Sequence, residues 1–191
     1  MISACDSFGI DIADTSGSQQ LGLSEDVIKI PTNKAKSGSL PGCQVKSTKK
    51  IRKVRGELHL AFGKQVQAVG DQGHMHRFLP EELLKFNCSH IINKFSIGDN
   101  YPSKVDPLEG VTKTVPKLLG RYQYFIQIVP TQYLSSNNDL IETAQYSFTE
   151  MDSIVNPNSP SFMQPGIFFK YDIRFLYSKY NFNFNFNLVR I

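Results

Sequence analysis

Tryptophan is absent from the sequence, and cysteine is scarce. The three cysteines, Cys5, Cys43 and Cys88, lie far apart in the chain. None belongs to a C-x-x-C pair, the spacing typical of structural zinc sites and of thiol–disulfide redox motifs. The cysteine pattern therefore predicts neither kind of site, and it allows one internal disulfide at most.

Long apolar runs are also missing. No stretch of about 18 apolar residues, the length that a membrane-spanning helix requires, occurs in the chain. Residues 1–6 lack the basic start and the apolar segment of a secretory signal peptide. These two absences predict a soluble chain without a targeting signal.

The sequence motifs of common enzymes are likewise absent. We find no nucleophile elbow, no glycine-rich phosphate loop, no metalloprotease helix motif and no closely spaced acid pair beside a histidine. The chain is therefore not expected to be an enzyme, and no cofactor is implied. An unrecognised enzyme with a sandwich fold is kept as an alternative, which requires a pocket that brings His59 or His90 together with an acid.

Aromatic and turn-forming residues are plentiful instead. The 191 residues include 14 Phe, 8 Tyr, 13 Gly and 10 Pro, a mixture that favours strands joined by turns. About eight strand candidates are separated by Gly, Pro and Asn turns, which is typical of a β-sandwich or barrel. One short helix is predicted near residues 80–86, where Pro80 precedes two glutamates. We expect one all-β domain, because 40% hydrophobic content suffices for a core.

Three segments carry the most informative strand predictions. Residues 57–63 alternate between large apolar and smaller or polar side chains, which indicates a half-buried strand, and residues 46–54 are its expected partner. Residues 122–129 form the strongest strand candidate. The Asn–Phe alternation of residues 181–187 is able to form an edge strand, but its low complexity makes it prone to aggregation if exposed.

The charge of the chain is mildly basic, with a formal net charge of +4. All charged residues from position 43 to position 55 are basic: Lys46, Lys49, Lys50, Arg52, Lys53 and Arg55. Such a run could bind nucleic acid, but no aromatic stacking platform or recognition helix accompanies it. A solvated strand edge is favoured, because lysines discourage edge pairing. Nucleic-acid binding through residues 46–55 is kept as an alternative function.

His74 and His76 lie on one face of their segment if it is extended. Two imidazoles could bind a metal only with further ligands from elsewhere in the fold. Polar contacts beside a turn at residues 70–73 are the favoured interpretation. No metal site is therefore predicted.

A potential modification site follows the predicted helix. Asn87, Cys88 and Ser89 match the N-x-S acceptor pattern for N-glycosylation, which has meaning only in a lumenal chain. If residues 86–92 form a strand, Asn87 and Ser89 share one face, while Cys88 lies on the other. A glycan on the outside and Cys88 on the inside would be consistent with this arrangement.

A series of sequence blocks occurs in the order of a known family. The blocks are Gly42-Cys43-Gln44-Val45, residues 53–64, His74-Met75-His76, and residues 86–98, 101–110, 122–131, 145–150 and 165–173. In this order they resemble the ER–Golgi intermediate compartment protein family, also called the COPII-coated-vesicle Erv proteins. The resemblance extends from about residue 5 to residue 173, since residues 10–17 resemble the first lumenal strand of the family.

The resemblance implies a membrane cargo receptor that cycles between the endoplasmic reticulum and the Golgi. Family members have a lumenal β-sandwich between two membrane helices, pair with a sister subunit as hetero-oligomers, and bind coat proteins through cytosolic tails. They package cargo protein into vesicles and retrieve escaped residents in a pH-dependent way. Neither membrane helix nor tail occurs in this sequence, so we interpret it as a fragment or an incomplete gene model.

Site and domain expectations follow from the same resemblance. A disulfide between Cys5 and Cys43 is the preferred one of three pairings, and a glycan is expected at Asn87. The candidate pH-sensing or partner-binding residues are His74, His76 and His90, because imidazole titrates near the pH of mildly acidic compartments. The expected domains are an N-terminal strand and flexible loop at 1–42, a sandwich core at 43–173, and a doubtful low-complexity segment at 174–191.

One departure from the family pattern limits what can be carried over. Arg77 stands where the family usually has an acid, directly after the His-x-His block. Any acidic cargo surface in that place would be altered. The partner preference of the family is therefore not transferred to this chain.

Overall fold

A computed structural model describes residues 8–14, 28–32, 42–51, 53–62, 64–67, 74–77, 87–114, 119–159, 162–174 and 182–189. Strands account for most of these residues, and no helix occurs among them. The strands are β1 Phe8–Asp14, β2 Ile28–Thr32, β3 Gly42–Ile51, β4 Gly56–Phe62, β5 Lys64–Gln67, β6 His74–Arg77, β7 His90–Ile97, β8 Thr112–Lys113, β9 Gly120–Leu134, β10 Leu140–Ile154, β11 Gly166–Ile173 and β12 Phe182–Val189. Within the described ranges, no helix is long and apolar enough to cross a bilayer.

The first sheet has the strand order β1-β4-β11-β9-β10. Strands β9 and β10 form a hairpin of fifteen residues on each side, closed by a turn in which Ser135 N–H donates to Asp139 O over 2.9 Å. Strand β11 runs parallel to β9 and antiparallel to β4. The alternation of apolar and polar residues in these strands gives the sheet one face toward the core and one away from it.

The second sheet has the strand order β2-β3-β12-β7-β8, and strands β5 and β6 form a separate pair. Strand β12, the predicted Asn–Phe segment, pairs with β3 on one side and with β7 on the other. The strand prediction is correct, but the edge position is wrong. No proline interrupts this segment, so both of its backbone edges are free to pair.

The predicted hairpin between residues 46–54 and 57–63 is also wrong. Strand β3 belongs to the second sheet and β4 to the first, and residues 53–55 connect them. Each of the two strands has one apolar face. This pattern is compatible with a hairpin within one sheet and equally with two strands in facing sheets, so alternation does not distinguish the two arrangements. Beyond the crossing, Gly56 permits close packing, because a Cβ there would overlap the Tyr171 hydroxyl.

The core lies between the two five-stranded sheets. Phe95 of β7 stacks on Phe169 of β11 with ring centroids 5.2 Å apart, and Tyr124 of β9 stacks on the same Phe169 at 5.2 Å. All three side chains are almost fully buried. Tyr146 joins the sheets by polar contacts, since its hydroxyl donates to Phe95 O at 2.8 Å and accepts from Leu108 N–H at 3.1 Å. Burial raises the pKa of Tyr146, which keeps this hydroxyl protonated.

The all-β, two-sheet sandwich is confirmed. The structure has more strands than the eight or so expected, because β2, β5, β6 and β8 are too short to give a readable alternation. The predicted helix near residues 80–86 lies outside the described residues. The domain limits at 42 and 173 stay predictions.

Candidate binding surface

The face of the first sheet that points away from the core is the main surface with candidate functional residues, and we call it the outer face. Strand pairing arranges its residues in rows. One row aligns His59, Phe168 and Gln123, and the next aligns Glu57, Lys170 and Phe125. Residues in register on neighbouring strands share a face, so each row brings its side chains into contact range.

One end of the outer face forms a buried cluster around Phe168. The His59 ring stacks on Phe168 at 5.5 Å, and the Arg121 guanidinium carbon lies 3.8 Å from the centroid of the same ring. His59 and Phe168 are each at most 6% exposed. Arg121 also donates to Gln164 O over 2.9 Å, and burial lowers the pKa of its guanidinium. This cluster therefore packs the His59 ring and the Arg121 guanidinium against the Phe168 ring.

Glu57 links the buried cluster to its neighbours. Its Oε1 lies 3.3 Å from His59 Nδ1, and its Oε2 lies 3.7 Å from Lys170 Nζ. Burial raises the pKa of Glu57, but the close approach of His59 and the nearby positive charges of Lys170 and Arg121 outweigh it. The net result is a pKa below the usual value, so Glu57 is ionised at neutral pH.

The other end of the outer face is an open groove of about 520 Å³ across β11, β9 and β10. We call it the outer-face groove, and its lining residues are Arg55, Phe125, Ile126, Gln127, Ser147, Phe148, Thr149, Lys170, Tyr171, Asp172 and Arg174. Arg55 Nη2 bonds Asp172 Oδ2 at 3.0 Å, and Lys170 Nζ lies 5.7 Å from the Phe125 ring centroid. Because the core residues Ile126 and Tyr171 take part in the lining, the groove reaches down to the sheet itself.

His90, a candidate pH sensor, is completely buried at the start of β7. Its Nδ1 lies 2.7 Å from Cys88 O, and its Nε2 lies 2.7 Å from the Tyr124 hydroxyl. A carbonyl only accepts, so Nδ1 carries the proton and Nε2 accepts from Tyr124. Burial lowers the pKa of His90 to about 4, against the opposing effect of the hydrogen bond that His90 Nδ1 donates to Cys88 O. The position therefore weighs against His90 as a sensor in the mildly acidic range, and against direct contact with a partner.

The other two candidate histidines lie in the β5–β6 pair. His74 is in register with Gln67, and His76 with Gln65. The predicted extended segment is thus present, with the two histidine positions on one face of β6. Their side chains lie outside what the structure describes, so their sensing and binding roles stay predictions. Among the described residues, no group of three or more His, Cys, Asp or Glu is arranged to hold a metal.

The glycosylation motif lies just before β7. Asn87 is half-buried, and its Oδ1 accepts from Ser89 N–H over 2.7 Å, which forms a turn. The strand begins at His90, not at residue 86 as expected, so Cys88 and Ser89 are both buried. The Cys88 Sγ donates to Gly120 O over 2.9 Å. Glycosylation of Asn87 stays a prediction.

The predicted disulfide joins two cysteine side chains that lie outside the described residues. Cys5 lies outside the described residues, and the Cys43 side chain is not described either, although its backbone belongs to β3. The pairing of Cys5 with Cys43 therefore stays a prediction.

The basic run follows β3 across the second sheet. Lys46 and Lys50 are exposed, while Val45 and Ile51 between and beyond them face the core. The predicted edge position is wrong, because β3 pairs with both β2 and β12. A central strand of a sandwich still has one face toward the solvent, and Lys46 and Lys50 lie on that face.

The outer face was missed by the sequence interpretation. Its signal was present in β11, where Phe168, Lys170 and Asp172 occupy the alternate positions to the core residues. Alternation identifies such positions as outward, but the partners Arg121 and His59 come from strands that are distant in sequence. Only the strand order brings them together.

The fold thus defines a two-sheet all-β domain with a groove on one outer face. Residues 24–185 match the family model described as endoplasmic reticulum vesicle transporter. The chain is 40% identical over 134 residues to the probable endoplasmic reticulum–Golgi intermediate compartment protein 3 of Dictyostelium discoideum, an alignment that covers 69% of this chain and 34% of the relative. It is 34% identical over 140 residues to endoplasmic reticulum–Golgi intermediate compartment protein 2 of Danio rerio, covering 73% of this chain and 36% of the relative.

A solved structure titled the crystal structure of Erv41p has a similar fold. The TM-score is 0.65 at 24% sequence identity, and the match covers 90% of this chain and 86% of that one. The chain belongs to the endoplasmic reticulum vesicle transporter family. It spans about a third of the length of the two curated relatives above.

Proposed function

We propose that this chain is the lumenal domain of a membrane cargo receptor that cycles between the endoplasmic reticulum and the Golgi. In this role it binds cargo protein or a sister subunit, while coat proteins bind cytosolic tails. The observation that carries the proposal is the family match over residues 24–185, together with relatives named for the ER–Golgi intermediate compartment. A glycan at Asn87 and a disulfide between Cys5 and Cys43 belong to the same proposal.

The outer face supports recognition by surface contact. Phe125 and Met151 are 39% and 50% exposed on the neighbouring strands β9 and β10 of the first sheet. Apolar side chains that are exposed close together on a rigid sheet are typical of protein-binding surfaces. The outer-face groove contains neither His59 nor His90 in its lining, so it does not provide the histidine–acid pocket that the alternative enzyme requires.

Protease protection tests the lumenal orientation. An epitope tag is inserted into the exposed turn at residues 135–139, and the protein is expressed from its own gene in its own cells. We expect the tag to resist protease in intact microsomes and to be digested after detergent is added. Digestion without detergent would place this region on the cytosolic side and reject the proposal.

Vesicle budding tests the transport role. The same tagged protein should enter the vesicles that form when coat proteins and GTP are added to endoplasmic reticulum membranes. A resident membrane protein that stays behind serves as the control. Exclusion of the tagged protein from the vesicles would contradict a cycling receptor.

The proposed pH dependence rests on the two histidine positions of β6. Changing both His74 and His76 to Gln removes two imidazoles that can gain charge at mildly acidic pH. The sister-subunit or cargo complex should then dissociate equally at neutral and mildly acidic pH, as measured by co-precipitation. An unchanged pH dependence would reject these residues as the sensor.

A further inference from the structure

The outer-face groove has a floor made of two consecutive rows of side chains. Lys170, Phe125 and Thr149 form the first row, and Asp172, Gln127 and Ser147 form the second. Its volume of about 520 Å³ lies within the range of about 300–1,000 Å³ that is usual for ligand sites. The groove is therefore large enough to accept a short segment of another chain.

The charge of the groove favours an anionic ligand. Three cationic side chains line it, Arg55, Lys170 and Arg174, against the single acid Asp172. Both oxygens of Asp172 already accept hydrogen bonds, Oδ2 from Arg55 over 3.0 Å and Oδ1 from Ile173 N–H over 3.0 Å. Arg55 thus offsets the acid, and Lys170 Nζ lies 3.7 Å from Glu57 Oε2. Arg174 therefore supplies the positive charge of the lining that exceeds these two pairs.

Phe125 gives the groove an apolar contact site. Its side chain is 39% exposed although β9 lies between two other strands, and the Lys170 ammonium lies 5.7 Å from its ring. An aromatic ring beside cations suits a ligand that carries an apolar side chain next to carboxylates. The hydroxyls of Ser147 and Thr149 add polar partners on the β10 side of the floor.

We propose that the outer-face groove binds a short acidic peptide segment with a large apolar side chain, which packs on Phe125 while its carboxylates contact Arg174 and Lys170. The biological source of such a segment rests on the cargo-receptor proposal, in which the segment belongs to the cargo protein. Binding itself is a property of this chain and can be tested without any membrane.

Fluorescence anisotropy provides the test, with the full 191-residue chain and a labelled heptapeptide of glutamates around one phenylalanine. The substitution Arg174→Glu should weaken binding about tenfold or more, because it places like charges opposite each other. The substitution Lys94→Glu is the control, since it changes the net charge equally at an exposed position of the second sheet. A peptide with glutamine in place of every glutamate should bind weakly to all variants.

The apolar contact is tested by a second pair of variants. Phe125→Thr should weaken the binding of the acidic peptide several-fold. Val129→Thr removes a similarly exposed side chain from the same face of β9, outside the groove, and should leave the affinity unchanged. Thermal melting followed by circular dichroism checks that all variants are folded.

Four outcomes would overturn the inference. The first is a loss of affinity with Lys94→Glu equal to that with Arg174→Glu, and the second is binding of the glutamine peptide as tight as that of the acidic peptide. The third is no binding of the acidic peptide to the unmodified chain. The fourth is self-association of the chain in sedimentation experiments that Arg174→Glu abolishes. The last result would assign the groove to a second copy of this chain. None of the four affects protease protection or vesicle entry, so failure here is distinguishable from failure of the proposed function.

Discussion

The two sides of the first sheet contain similar groups in different environments. On the inner side, Phe169 lies between the uncharged rings of Phe95 and Tyr124. On the outer side, Phe168 lies between His59 and the guanidinium of Arg121. Consecutive residues of one strand thus serve the core and a polar surface cluster. Because side chains alternate along a strand, Phe169 packs in the core while the adjacent Phe168 packs in the outer cluster. A single strand can therefore stabilise the fold with one set of residues and form a binding surface with the other.

The largest expected effect contrasts the two phenylalanines directly. Phe169→Ala should lower the free energy of unfolding by about 3–5 kcal/mol, because it leaves a cavity between two sheets. Phe168→Ala should lower the free energy of unfolding by a smaller amount, since water can enter the space that the substitution opens on the outer side. Urea denaturation measures both. Equal losses would show that the outer cluster acts as a second core and would remove the contrast.

The seam where the two sheets meet provides the next effect. Gly98 bridges to Thr143 at positive φ, and an added Cβ would lie 2.8 Å from Thr143 Oγ1. Gly98→Ala should destabilise by about 2–4 kcal/mol, from backbone strain and from overpacking.

Gly110 is the control for Gly98. It also has positive φ, but nothing lies within 4 Å of an added Cβ. Gly110→Ala should therefore cost only the backbone strain, about 1–2 kcal/mol. If the two alanine variants unfold at the same denaturant concentration, the close contact between the sheets at Gly98 does not add to the loss of stability.

The buried His90 predicts a pH dependence of the inner layer. Its pKa falls from 6.5 in the unfolded chain to about 4 in the fold, so the unfolded chain binds the proton first as the pH decreases. Stability should therefore fall between about pH 6.5 and pH 4, and His90 should account for about 2 kcal/mol between pH 7 and pH 5. His90→Gln removes this titration, and its stability should vary less over that interval. A slope as steep as that of the unmodified chain would contradict the assignment.

The smallest effect is expected for the ion pair at the rim of the outer-face groove. Arg55 and Asp172 lie 3.0 Å apart, but their side chains are 72% and 46% exposed. Solvent screens such a pair, so Arg55→Ala should change the free energy of unfolding by about 0.5 kcal/mol or less. A loss comparable to that of Phe168→Ala would mean that the rim stabilises the fold, which would blur the distinction between the two sides of the sheet.

The sequence was sufficient to predict the long strands and the fold class. Residues 122–129 lie within β9, and residues 57–63 largely coincide with β4, because alternation is a local property of the sequence. Strand partners were not predictable in this way. The connection of β3 to the second sheet and the inner position of β12 depend on contacts between distant segments.

The candidate site was less predictable than the fold for the same reason. His90 was expected to titrate because its residue type does so near neutral pH, but burial against Tyr124 is a tertiary property. The outer-face groove combines residues from β9, β10 and β11 with Arg55 from the crossing between sheets. No spacing in the sequence encodes that combination.

The inner position of β12 has a consequence for the order of folding during synthesis. Phe182 pairs with Ile51 and Phe184 with Ile97, so β12 joins strands made much earlier by the ribosome. Until β12 leaves the ribosomal tunnel, β3 and β7 each have an inner edge without this partner. Such edges are where nascent chains aggregate or recruit chaperones. Completion of the second sheet is therefore expected to be a late step of folding, and one with high contact order.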